Sequence, residues 1–87
     1  MLHEVWTCST HGHTIEIKSR WLGFKEVIYY DGREVASGLT VFGGRYHFRV
    51  EEDGQPVNYN VKLQTTVEGI EITVTRNDET VHSQTTQ

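Results

Sequence analysis

The sequence predicts an all-β protein, a single antiparallel β-sandwich of seven or eight short strands joined by tight hairpins. Three observations carry that expectation. Val, Ile and Thr recur with Tyr and Phe along all 87 residues, and no stretch repeats apolar side chains at helical spacing over three turns. Asp31-Gly32, Asp53-Gly54 and Asn77-Asp78 each separate two alternating runs, and Asp-Gly in particular favours a primed two-residue turn because Gly accepts positive φ and Asp tolerates it. Around Asp53-Gly54 the turn and the apolar pattern then agree on one register: Val50 opposes Val57, Phe48 opposes Tyr59 and Tyr46 opposes Val61. A slip of one residue would turn all six towards water.

Taken in order, His3 to Cys8 is a first strand with Trp6 as its largest anchor and an inward face that the pattern leaves open. Ser9 to Gly12 links it to His13–Lys18, where Ile15 and Ile17 alternate with Thr14, Glu16 and Lys18 as in a half-buried strand. Ser19 to Phe24 breaks the alternation; Gly23 supplies a bend, and Trp21 and Leu22 cap one end of the core. Lys25–Tyr30 enters the Asp31-Gly32 turn, with Ile28 expected opposite Val35 and Val27 opposite Ala36. Tyr29 and Tyr30, being adjacent, point to opposite faces, which leaves one of them as a candidate surface aromatic. Leu39 to Phe42 reads as a short strand crossing between sheets, followed by a flexible corner at Gly43-Gly44.

After the central hairpin, Ile70, Ile72 and Val74 alternate with Glu71, Thr73 and Thr75, and a turn at Asn77-Asp78 would set Arg76 against Glu79 and Val74 against Val81. The polar segment 83–87 is expected to fray. The three turns recur about two dozen residues apart, a repeat of turn chemistry with different flanking side chains. The whole of 1–87 reads as one domain.

Composition narrows the function classes. Eight Lys and Arg against twelve Asp and Glu give a net charge of −4, which repels a phosphate backbone and argues against nucleic acid as a partner. A single cysteine excludes an internal disulfide framework and favours a reducing compartment, so a cytoplasmic location is expected. No leader-like apolar run and no apolar stretch near the ~18 residues of a membrane span is present, so no membrane association is expected.

Several residues also resemble the Fas apoptotic inhibitory molecule family of compact antiparallel β-sandwiches. They are Trp6, His13-Thr14-Ile15-Glu16, the run Gly23 to Glu34 with its Asp31-Gly32 turn, Phe42-Gly43, Phe48 and Tyr59. Between Gly38 and Phe42 the chain departs from that family's charged, tryptophan-bearing stretch. The resemblance implies a non-enzymatic intracellular module acting through protein contacts, in that family to restrain cell death.

The side chains that alternate with the central apolar set are Arg45, His47 and Arg49 on one strand and Asn58 and Asn60 on the other. A planar Arg fork donates to carboxylates, and Asn both donates and accepts, so this polar face is the candidate binding site for an acidic peptide or a carboxylate. Cys8, His11 and His13 form the densest set of possible metal ligands, with His3 nearby in sequence, yet a structural zinc site normally takes four protein ligands and the chain offers no second Cys or paired motif to complete it. A small metal-binding domain using these three is the alternative reading, although no cofactor is expected. No nucleophile elbow, phosphate-cradling loop, His-Glu-x-x-His pair or acidic dyad occurs, and Glu51-Glu52-Asp53 precedes a turn where solvated acids are ordinary. Together these features point to a non-catalytic protein-binding or assembly module, working through the exposed polar face or an edge strand towards a protein partner or a second copy.

Overall fold

The computed structural model describes residues 3–20, 25–39 and 43–86. Every element is a strand: β1 (His3–Thr10), β2 (His13–Arg20), β3 (Lys25–Tyr30), β4 (Arg33–Leu39), β5 (Gly43–Glu52), β6 (Gln55–Thr66), β7 (Gly69–Arg76) and β8 (Glu79–Thr86). All pairings are antiparallel, and the strands form two four-stranded meanders in the orders β1-β2-β3-β4 and β5-β6-β7-β8. The all-β class with short hairpin-joined strands is as the sequence predicts, and two such sheets are consistent with a β-sandwich. The chain divides into two compact units, residues 1–41 and 42–87.

In the first unit the turn chemistry is simplest to read. His11 and Gly12 have φ of 50° and 81°, and Asp31 and Gly32 have 49° and 84°, so both connections are two-residue turns of the primed kind whose twist suits the flanking strands. Nothing within 4 Å crowds a Cβ placed on Gly12 or Gly32, so only the left-handed backbone demands glycine there. Strand β1 buries Trp6, Cys8 and Thr10 and exposes Val5, Thr7 and Ser9, which settles its inward face. Ile15 and Ile17 of β2 and Ile28 and Tyr30 of β3 complete the buried side. Tyr29 lies on the opposite face, half-buried, with the Lys18 ammonium 4.9 Å from its ring centroid.

The second unit follows the same plan. The turns Asp53-Gly54 (53° and 77°) and Asn77-Asp78 (48° and 67°) again have positive φ at both residues. The register of β5 and β6 is the expected one, pairing Val50 with Val57, Phe48 with Tyr59 and Tyr46 with Val61. Phe48 and Tyr59 stack with ring centroids 5.1 Å apart, and Val57, Val61, Leu63, Ile72 and Val74 share the buried face.

Two registers differ from expectation in the same way. Ile28 faces Ala36, not Val35, and Val27 faces Ser37, because the pairing shifts between Ile28 and Tyr29. Val74 faces His82, not Val81, with the shift between Val74 and Thr75, while Arg76 does face Glu79. In each hairpin one extra residue sits opposite the inner strand as a β-bulge. Gly43 and Gly44 open β5 where a corner was expected, and β8 carries the chain as strand through Thr86 where the sequence suggests fraying. Leu39 closes β4; the crossing strand expected after it, like the bend at Gly23 and the cap at Trp21 and Leu22, lies outside the described residues.

Candidate functional site

The polar face of the β5–β6 hairpin is built by the same alternation that builds its buried face. His47 pairs with Asn60, Arg49 with Asn58 and Arg45 with Lys62. Arg45, His47, Arg49 and Asn60 are exposed, and Asn58 is half-buried, so the structure brings all five sequence-derived candidates onto one surface and adds Lys62. Thr75 and Thr73 of β7 lie opposite Asn60 and Lys62, and Thr80 and Ser83 of β8 continue those rows. Arg45 and Lys62 are like charges directly across the ribbon, an arrangement that by itself disfavours pairing. Among the described residues no ion pair neutralises Arg45, Arg49 or Lys62.

The backbone of this hairpin has a direction as well. The carbonyl of Glu52 and the N–H of Gln55 close the turn, so the hydrogen-bonded pairs alternate from there and Arg49/Asn58 is a non-bonded pair. An independent bond agrees: the Asn58 N–H donates to Asn77 Oδ1 at 3.0 Å, and the Asn58 carbonyl accepts from the Asn77 N–H at 2.7 Å, so both groups of Asn58 face β7. The peptide groups of Arg45, His47 and Arg49 therefore point away from β6, to the open edge of the sheet. Two exposed Arg side chains, an exposed His and this outward backbone belong to the same three residues.

Glu52 overturns its sequence reading as a solvated acid. It is buried, with 3% of its side chain exposed, and accepts from Arg76 Nη2 at 2.8 Å, from Arg76 Nε at 3.1 Å and from the Tyr59 hydroxyl at 2.5 Å. The carboxylate beside it raises the Arg76 guanidinium further above its already high pKa, so Arg76 carries a fixed charge. Desolvated ions need such pairing, and this fork satisfies the burial without leaving a group aimed at a ligand.

The three candidate metal ligands are arranged differently. Cys8 is buried, and burial raises its thiol pKa, which works against the thiolate that a metal requires. His11 sits in the turn with Nδ1 2.9 Å from Thr10 Oγ1. His13 Nδ1 lies 2.6 Å from Asp31 Oδ2, and its ring stacks on Tyr30 at 5.1 Å. Among the described residues no three His, Cys, Asp or Glu side chains are gathered to hold a metal. Sequence reasoning missed the His13–Asp31 pair because the two are eighteen residues apart and meet only through the β2–β3 register. Asp31 also accepts from the Thr14 N–H at 2.9 Å, and the bonds from His13 and Thr14 lower its carboxyl pKa.

With this geometry in hand, comparison with protein-family models, curated proteins and solved structures finds no match. No helix among the described residues is long and apolar enough to cross a membrane.

Proposed function

We propose that this chain is a non-catalytic protein-binding module whose β5 edge takes up an extended acidic peptide as an added strand. The observation that supports this best is the coincidence at Arg45, His47 and Arg49 of outward peptide groups and exposed side chains, two of them guanidinium groups, with Lys62 beside them. Strand addition supplies main-chain hydrogen bonds, and alternate side chains supply specificity. Carboxylates at every second position of the incoming strand would lie against Arg45 and Arg49, each of which offers a planar donor fork. The same charges repel another β5, so the edge discriminates between partners by sign. The family resemblance through Trp6, the His13 to Glu16 run and the Asp31-Gly32 hairpin fits the same non-enzymatic, intracellular reading.

Fluorescence anisotropy with a labelled peptide alternating Glu with Val or Thr tests this directly. The expected result is saturable binding that weakens with salt and falls by about tenfold or more in the Arg45→Ala/Arg49→Ala variant, as the loss of two charge-assisted contacts implies. A peptide with Lys in place of Glu should not bind. Equal binding of the two peptides, or an unchanged affinity in the folded double variant, would remove this face as the site.

A further inference from the structure

Each of the two meanders has two edge strands, and three of the four edges carry a device that discourages pairing with a second copy. Strands β4 and β8 are interrupted by the bulges opposite Tyr29 and Thr75, and they also place Arg33, Glu34 and Glu79 at their exposed starts. Strand β5 carries Arg45, His47 and Arg49. Bulges and outward charges are the usual ways in which sheets protect an edge from a second chain.

Strand β1 has no bulge, and its stretch Val5 to Thr10 has no charge. Its pairing with β2 runs without a shift from His3 to Thr10, and among the described residues β2 is its sole partner. From Val5 to Thr10 the sequence VWTCST contains no charge, no proline and no glycine. The direction of its backbone follows from bonds equivalent to those that oriented β5. Both peptide groups of Thr14 face β3, since its N–H donates to Asp31 Oδ1 and its carbonyl accepts from the Asp31 N–H at 2.8 Å. Ser9/Thr14, Thr7/Glu16 and Val5/Lys18 are therefore the non-bonded pairs of the β1–β2 ladder. The N–H and C=O groups of Val5, Thr7 and Ser9 point off the sheet, and Val5 is an exposed apolar side chain at 44%.

We infer that β1 is a self-association edge, pairing antiparallel with β1 of a second copy about a two-fold axis at Thr7. The choice of a second copy rests on self-complementarity. With Thr7 opposite Thr7, Val5 meets Ser9 on the exposed face and Trp6 meets Cys8 on the buried one, and no like charges from Val5 to Thr10 oppose each other. Facing threonines are among the favourable cross-strand pairs. A closed two-fold contact also consumes the open edge on both copies, where a heterologous contact would leave one free to propagate. Two four-stranded sheets would become one of eight strands. The proposal concerns the first unit and stands independently of the acidic-peptide reading of β5.

Sedimentation across the micromolar to millimolar range, with hydrogen exchange on the wild-type protein, tests it. The expected result is a dimer in which the Val5, Thr7 and Ser9 amides exchange slowly, while those of Arg45, His47 and Arg49, which point off β5, exchange fast. Thr7→Lys sets two ammonium groups against each other at the axis and should halve the sedimenting mass while leaving the strand circular dichroism intact. A wild-type monomer at every concentration overturns the inference, as does fast exchange at Val5, Thr7 and Ser9. Persistence of the dimer in a folded Thr7→Lys variant overturns it equally, and should that variant not fold, the wild-type exchange pattern decides alone.

Discussion

The two meanders are built on one plan, and they differ chiefly in how far one hairpin reaches. Ile17–Ile28–Ala36 in the first corresponds to Val61–Val74–His82 in the second, and the bulge follows at the same step in both. Asp31 and Asn77 each open the last turn and each clamp the peptide groups of a residue two strands back, Thr14 and Asn58. The likeness therefore goes beyond the repeated turn chemistry visible in the sequence. Against this frame the β5–β6 hairpin runs two residues further per strand than β1–β2. The extension carries Glu52 over Tyr59 and Arg76, whereas the shorter hairpin ends at Thr10, whose hydroxyl meets the His11 ring beside it. A longer arm on the same ladder turned a polar residue before a turn into the buried half of a partly exposed ion pair.

Breaking that difference should produce the largest effect on stability. Glu52→Gln retains the shape but removes the charge that Arg76 and Tyr59 address, so a loss of about 1.5–3 kcal/mol is expected from urea unfolding, the range for hydrogen bonds to charged groups. Thr10→Val, the matching change in the first unit, should cost about 0.5–1.5 kcal/mol, since it removes one neutral bond. Equal losses would mean that the longer hairpin confers no special electrostatic role on Glu52.

The turns sharpen the comparison at a smaller scale. Gly32 and Asp78 occupy equivalent positions at φ of 84° and 67°. Asp78→Gly should stabilise by about 0.5–1 kcal/mol, relief of the left-handed penalty outweighing the extra unfolded-state entropy, and Gly32→Ala should destabilise by about 1–2 kcal/mol. Thermal midpoints moving in opposite directions would confirm that the two turns share one conformation.

The smallest effect concerns acid. Asp31 has a lowered pKa through His13 and the Thr14 N–H, so its contribution is complete above the unfolded carboxylate pKa and is lost as pH falls through the lower folded value. Asn77, its counterpart, makes the same backbone bonds without titrating. Asp31→Asn should therefore lower stability slightly near neutrality and flatten its fall on the acid side of the carboxylate range, read from urea midpoints against pH. An acid limb as steep as that of the wild type would show that the clamp does not titrate as described.

The sequence by itself determined the all-β class, the positions of three of the four primed turns, and the whole register of the central hairpin with its candidate surface of Arg45, His47, Arg49, Asn58 and Asn60. These follow from local rules, because a two-residue turn between alternating runs leaves one pairing that hides every apolar side chain. The turn at His11-Gly12 carries a weaker sequence signal, since His is a less usual partner for Gly than Asp or Asn. Tertiary structure decided the bulges at Val35 and Val81, the burial of Glu52 and the meeting of His13 with Asp31. An extra residue leaves composition and alternation unaltered until the partner strand is in place, and a buried acid differs from a solvated one only through what folds over it. Which edges stay open was decided there too, because strand order is a property of the assembled sheet.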